Sequence, residues 1–437
     1  MLSTRRLPGV NNFGGRPLKK SSIDQLAAGI LAALLAVPSP LSISMSWGGA
    51  ITLMIAPVTL PAVWSDKRGR WLLIALLALV PSGWLVAQFS LLQDSGRSLN
   101  SGVGLYQAAL PVGLIAGLVG AYWCITKLGS QRFLLIYLLS LIAASSIFAT
   151  GKFDQNVWKF GLAVPVSMLV ILFLARNRLL LGLVITPLLI AVSITAEFRS
   201  GAGLLALTAI LTVIATARLR KPSASKVAWL GLIAVMAGSA ITWVIGEAAS
   251  AGTLGNYLEE RTRRQLEDSN GNLLLGGRPE WGAATALWRD NPLGIGIGVA
   301  PSSDDYWLAI TNMPLPTLGA QKNSGVAFYF QNGQVDFHST FWTFWGVYGP
   351  AGIAFAVLAL VYAARAIMTA TTTTIQGVGL RASITLLMLF SIWDIFFSPT
   401  VAPRLAVALA IALQTLRSPN VTPNRAEDST YERSSAH

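Results

Sequence analysis

The sequence is short of charge, of histidine and of cysteine. Only 12% of its 437 residues are charged, about half the density of a soluble domain, which excludes an ordinary water-soluble globule. Its two histidines, His338 and His437, are too few for a zinc site of the usual kind. No acidic cluster resembles a site for another metal. One cysteine, Cys124, excludes an internal disulfide and a cysteine-held cluster, and its apolar setting suits buried packing. The glycine-rich stretch "NPLGIGIG" lacks a following Gly-Lys-Ser/Thr, so it meets neither nucleotide-binding template. It reads instead as a tight turn bringing main chain close to its neighbours. No repeat of about 20–50 residues recurs. A cleavable leader is not expected either, because the first 22 residues are polar and basic and no small-residue cleavage site follows.

What is present is apolar. Hydrophobic residues make up 53% of the chain, in runs close to the roughly 20 residues that cross a bilayer. The fold class read from this pattern is an all-α polytopic membrane protein of about 12 transmembrane helices. They are placed at 23–41, 44–64, 71–90, 105–126, 133–149, 160–175, 179–196, 201–217, 227–247, 337–363, 380–397 and 401–416. The organisation is then a cytoplasmic basic N-terminus (1–22), spans one to nine (23–247), a large extracytoplasmic cap loop (248–336), spans ten to twelve (337–416) and a cytoplasmic polar tail (417–437).

Charge orients these spans. With both termini in the cytoplasm, the inner segments hold 21 of the 32 lysines and arginines but 5 of the 19 acids, an inner balance of +16 against −3 outside. Short inner loops are basic because Lys and Arg resist translocation and are drawn to anionic lipid headgroups. The net charge of +13 therefore reports orientation and contact with membrane lipids, not a nucleic-acid partner.

The loop 248–336 is far too long for an unstructured connection. Within it, "YLEERTRRQLEDSN" reads as a solvated surface helix. "GGRPEWGAATALWRDNPLG" reads as a better-defined helix, with Pro279 in its first turn and Trp281, Ala284 and Trp288 on one face.

Four outer-side places combine charge with the membrane boundary, where ionisable groups are costly enough to be candidates for function. They hold Glu197 and Arg199, Arg278, Asp336 and His338, and Asp394 and Arg404. Each has a plain structural account. Arg404 can snorkel to lipid phosphate or pair with Asp394. Glu197 can partner Arg199 or simply sit at the interface. Phe341, Trp342, Phe344 and Trp345 fit an interfacial aromatic belt. Asp336 is not expected to orient His338 if both lie on one helix, since i and i+2 face apart. Taken together the residues suggest more. Arg278 stands at a helix start that favours an anion, and Arg199 in a Gly/Ser-rich turn. Two guanidinium forks suit phosphate or pyrophosphate, and a neutral imidazole can accept a proton.

Three stretches, "AEFRSGAGLLAL", "GGRPEWGAATALWRDNPLGIGIG" and "FHSTFWTFWGVYGPAGIAFAV", resemble the O-antigen ligase and polymerase family of bacterial envelope glycosyltransferases. The motifs lie between about residues 195 and 360, and the late outer loop fits as well. The resemblance implies a GT-C-like glycosyltransferase in the bacterial inner membrane, its site facing the periplasm or exterior. Arg199 and Arg278 would hold the pyrophosphate of an undecaprenyl-linked glycan donor, and His338 would activate a hydroxyl on an envelope glycan or lipid acceptor. It implies no nucleotide, metal or other cofactor. Glu197, Asp336, Asp394 and Arg404 would be supporting residues. The sequence departs from the family pattern at Phe198, where serine is frequent, at Ser200, where glycine is common, and at Ser339, where asparagine is frequent.

The alternative from another class is a twelve-helix transporter or flippase. "SDKRGR" matches part of a carrier signature through Asp66, Lys67, Gly69 and Arg70 but departs from it at Ala62 and Trp71. A late outer loop is also out of place for two six-span halves.

Overall fold

Hydrophobic runs with their polar main chain satisfied internally must become helices in a bilayer, and helices dominate the computed structural model. It describes residues 20–39, 42–148, 156–174, 179–216, 247–248, 251–252, 259–260, 262–263, 266–267, 278, 280–313, 336–372, 377–398 and 402–417. In chain order these include α1 (Lys20–Leu34), a short hairpin of β1 (Pro38–Ser39) and β2 (Ser42–Ser46), α2 (Trp47–Met54), α3 (Ala56–Trp64) and α4 (Lys67–Gln93). Strand β3 (Ser98–Leu99) leads to α5 (Ser101–Leu128) and α6 (Ser130–Ile147), then α7 (Ala163–Leu174), α8 (Leu179–Thr195) and α9 (Arg199–Thr216). The later elements are α10 (Glu280–Asp290), β4 (Val299–Ala300), α11 (Ser303–Asn312), α12 (Thr340–Tyr348), α13 (Pro350–Thr372), α14 (Val378–Phe397) and α15 (Ala402–Arg417).

Among the described residues, six helices, α4, α5, α6, α9, α13 and α14, are long and apolar enough to cross a membrane. The bent pair of α2 and α3, turned by 93° at its break, makes a seventh if taken as one span. Three more of the expected spans correspond to shorter apolar helices, Ser22–Leu34, Trp158–Phe173 and Val184–Thr195. The expected ninth span, 227–247, and most of the surface helix "YLEERTRRQLEDSN" lie outside the described residues.

Helix α5 is the centre of the bundle. Its apolar stretch is 78% buried, against 22% for α9 at the edge. Small residues allow this: a Cβ at Gly117 would stand 2.8 Å from the Cβ of Ala406 on α15, so the two backbones run nearly in contact.

Two expectations need correction. The tenth span does not run as one helix from 337 to 363. The chain breaks at Gly349, whose φ of 62° carries it past the Leu293 carbonyl, where a Cβ would collide, and α13 restarts at Pro350, suited to a first helical turn. The aromatics of α12 are not an interface belt. Phe344 and Trp345 are fully buried and Trp342 is 9% exposed, because α12 packs among α4, α13 and α14, with Trp281 of α10 edge-on to Trp342.

The "NPLGIGIG" turn does what its glycines suggest. The amides of Ile295 and Gly296 both donate to the Gly346 carbonyl, at 2.8 and 2.9 Å, and that of Ile297 donates to Gly83, at 3.1 Å. A Cβ at Gly296 would collide with the main chain of Ala87, and a φ of 102° suits glycine alone. The loop threads between α4, α5 and α12 and closes with β4 pairing antiparallel to β3. It fastens the cap to the bundle.

Candidate functional site

The candidate site is built around the C-terminal end of α14. His338 lies in the turn before α12, between fully buried Phe337 and Ser339, and is itself half-buried. Ser339 is the N-cap of α12. Its Oγ accepts from the Trp342 amide at 3.4 Å and donates to the Ile395 carbonyl of α14 at 3.2 Å. Serine is a strong capping residue, and these two bonds cap α12 and fasten the turn to α14. Thr340 Oγ1 donates to the next carbonyl, Asp394, at 3.4 Å.

Asp336 and His338 do not share a helix, since α12 begins only at Thr340. The Asp336 carboxylate accepts from the main-chain N–H of His338 at 3.0 Å and from Thr343 Oγ1 at 3.4 Å. It shapes the backbone that carries the imidazole. That backbone is unusual: φ at His338 is +49°, a region that β-carbon-bearing residues seldom occupy.

Arg278 arrives from the cap. Its Nη1 lies 3.4 Å from the carboxylate of buried Glu280, and its guanidinium stands over the Phe397 ring at 6.0 Å. Trp281 stacks on the same ring, 5.2 Å away and 6° from parallel, and meets Trp342 edge-on at 6.1 Å. The first turn of α10 is thereby clamped to α12 and to the end of α14. The sequence pattern misassigned part of α10: Ala283, Ala284 and Leu287 face the core, whereas Trp288 is exposed.

Asp394 and Arg404 pair at 2.5 Å, joining the end of α14 to the first turn of α15. This fits the structural account more simply than lipid snorkelling. Arg199 opens α9. The preceding Phe198 stacks on Phe390 of α14, with ring centroids 6.0 Å apart. Glu197, at the turn between α8 and α9, is half-buried, and its φ is +57°. Thus Arg278, His338, Asp336, Asp394 and Arg404 share one neighbourhood, and the turn carrying Glu197 and Arg199 packs on the same helix five residues earlier. Among the described residues, no three His, Cys, Asp or Glu side chains come together in a way that could hold a metal.

One cluster was missed. Arg97 and Asp305, each 2% exposed at the side chain, form a two-pronged pair at 2.8 and 2.6 Å, and Arg97 also donates to Ser90 Oγ at 2.9 Å. Burial works against the charge of Arg97, but the hydrogen bond and charge of Asp305, with Asp94 and Asp290, hold its pKa above the ordinary value. The carboxyl of Asp94 is held below its ordinary value, chiefly by a hydrogen bond from Ser302, then by the Gly96 amide and by Arg97. A sequence signal existed. Ser302 and Asp305 form a capping box at the start of α11, and "SSDD" carries the required spacing.

The carrier-like motif has an ordinary structural use. Asp66 caps α4 through the Arg68 amide at 2.9 Å and accepts from Tyr122 at 3.1 Å, while Arg68 Nη1 donates to the Leu416 carbonyl at 2.7 Å. Those bonds knit α4, α5 and α15 together at the end of the bundle opposite the site.

No protein-family model and no curated protein matches this chain.

Proposed function

We propose that this chain is a glycosyltransferase of the bacterial inner membrane, like an O-antigen ligase and of the GT-C architectural type. It would move a glycan from an undecaprenyl-pyrophosphate donor to an acceptor hydroxyl on the outer side of that membrane. The observation that carries the reading is the placement of His338. A half-buried imidazole held in a left-handed turn by Asp336, Ser339 and α14 lies beside an element to which Arg278 is clamped. Strained positions of this kind persist where surrounding structure fixes them and concentrate at functional sites.

The chemistry balances without a nucleotide. The acceptor O–H attacks the anomeric carbon, forming the new C–O bond, while His338 takes the hydroxyl proton. The bond from the anomeric carbon to the phosphate oxygen breaks, most simply with inversion. Its electron pair leaves with undecaprenyl pyrophosphate, whose growing charge Arg278 and Arg199 stabilise. The imidazolium then returns its proton to water. Ligase and polymerase share this donor and differ only in the acceptor.

The test is transfer by protein in nanodiscs, from an undecaprenyl-pyrophosphate-linked oligosaccharide to a panel of envelope acceptors. His338→Asn should lower the rate by about 10²–10⁴-fold, because asparagine tolerates the left-handed backbone but supplies no base. Arg278→Lys is a cleaner variant than alanine, since it keeps a positive charge beside buried Glu280 and removes only the fork. Passage of labelled donor across liposomes without any transfer would favour a carrier instead.

A further inference from the structure

We propose that the end of the bundle opposite His338 holds a site for the phosphate of an anionic phospholipid, built by Arg68, Arg365 and Arg417. The inference stands apart from the glycosyl-transfer reading. The start of α4, the later turns of α13 and the last turn of α15 meet there. Buried Tyr122 of α5 donates to the Asp66 carboxylate at 3.1 Å and accepts from Arg417 Nη1 at 3.2 Å. Buried Tyr362 donates to the Arg68 carbonyl at 3.2 Å, and Arg68 Nη1 reaches the Leu416 carbonyl at 2.7 Å. Arg365 lies one turn beyond Tyr362 on the same face of α13.

What these arginines lack is a counter-charge. Arg68 uses one prong on a carbonyl and Arg417 one on a hydroxyl. Among the described residues, neither of them, nor Arg365, pairs with a carboxylate. Asp66, the acid in this network, accepts from the Arg68 amide and the Tyr122 hydroxyl instead. Three guanidiniums against one carboxylate leave a local balance of +2. Orienting a chain in a membrane needs only the presence of such charges in short loops. Here two of the forks are also fixed in place by bonds to α5 and α15, an order that orientation does not require.

Chemistry and depth select the partner. A guanidinium carries five donors, so Arg68 and Arg417 keep most of theirs for an acceptor, and planar forks match phosphate oxygens. Trp64 and Trp71, 45% and 57% exposed, flank the start of α4. Exposed tryptophans at the end of a span mark the level of the lipid headgroups, and basic pockets between spans take anionic headgroups there. The positive balance favours phosphatidylglycerol over phosphatidylcholine, whose own ammonium it would repel.

The experiment titrates phosphatidylglycerol into the full chain in a neutral detergent and counts retained lipid by native mass spectrometry. Wild type should hold phosphatidylglycerol about tenfold tighter than phosphatidylcholine, and Arg68→Gln and Arg417→Gln should each weaken it by about tenfold. Arg417→Lys should weaken it too, because it keeps the charge and loses the fork. Arg132→Gln removes an equal charge at the start of α6 and should leave retention unchanged. Arg417 is exposed, so its variants decide the matter even if Arg68→Gln fails to fold. The site is overturned if the two lipids are retained alike, or if Arg132→Gln weakens retention as much as Arg417→Gln, the mark of diffuse attraction. It is equally overturned if millimolar inorganic phosphate displaces the lipid where chloride of equal ionic strength does not, since the ligand would then be a soluble phosphate.

Discussion

Holding His338 at a φ of +49° costs of order 1–2 kcal/mol relative to an ordinary backbone, and the surrounding contacts repay it. Phe337 is fully buried against Trp345, Ser339 is bonded to α14, and Asp336 closes the turn. The backbone is fixed, so the imidazole's position is set by the fold and not by the ligand. Arg199 stands in the first turn of α9, beside Phe198, which packs on Phe390. In the proposed reading its contribution lies in the fork. Arg199→Lys preserves the charge and loses two-pronged contact with phosphate oxygens, a difference of about 10–100-fold in the donor KM. Titration of donor against purified variant and wild type decides it. An unchanged KM would mean that this arginine supplies charge alone.

At the scale of elements, two of the cap's attachments to the bundle, the glycine turn and the Arg97–Asp305 pair, differ in how readable they were beforehand. The glycine turn announced itself through its spacing, because alternating glycines at 294, 296 and 298 have little use except close backbone contact. The Arg97–Asp305 pair did not, because its partners are 208 residues apart and neither stands in a stretch that hydropathy singles out. The same blindness explains the broken tenth span. Gly349 and Pro350 sit inside an apolar run, and a window average passes over a bend that leaves composition unchanged. The aromatics of α12 looked interfacial because sequence shows their type but not the covering helix. The buried pair makes a direct prediction. Asp305→Ala leaves Arg97 buried and uncompensated and should destabilise the cap by about 3–5 kcal/mol, whereas replacing both partners with apolar residues should cost much less. Thermal melting with limited proteolysis of the 280–313 region measures this. Equal losses in the single and double variants would show that the uncompensated charge of Arg97 is not what destabilises the cap.

For the whole molecule, hydropathy gave the all-helical membrane character and the charge asymmetry gave an orientation. The proposed outer position of the site rests on that asymmetry, since the cluster around His338 and the Asp66 network lie at opposite ends of the bundle. The physical cause is the reluctance of Lys and Arg to translocate, and it carries a consequence that can be read directly. Cys124 is fully buried, so the natural chain should be nearly silent toward a membrane-impermeant maleimide. Introduced cysteines at exposed positions 303, on the cap side, and 67, at the start of α4, should then report each face separately. Ser303→Cys should label in intact spheroplasts, and Lys67→Cys only after lysis. The reverse pattern would put His338 and its arginines in the cytoplasm. A lipid-linked donor presented on the outer leaflet could not reach them there, and the glycosyl-transfer mechanism would fail on geometry before any assay of chemistry.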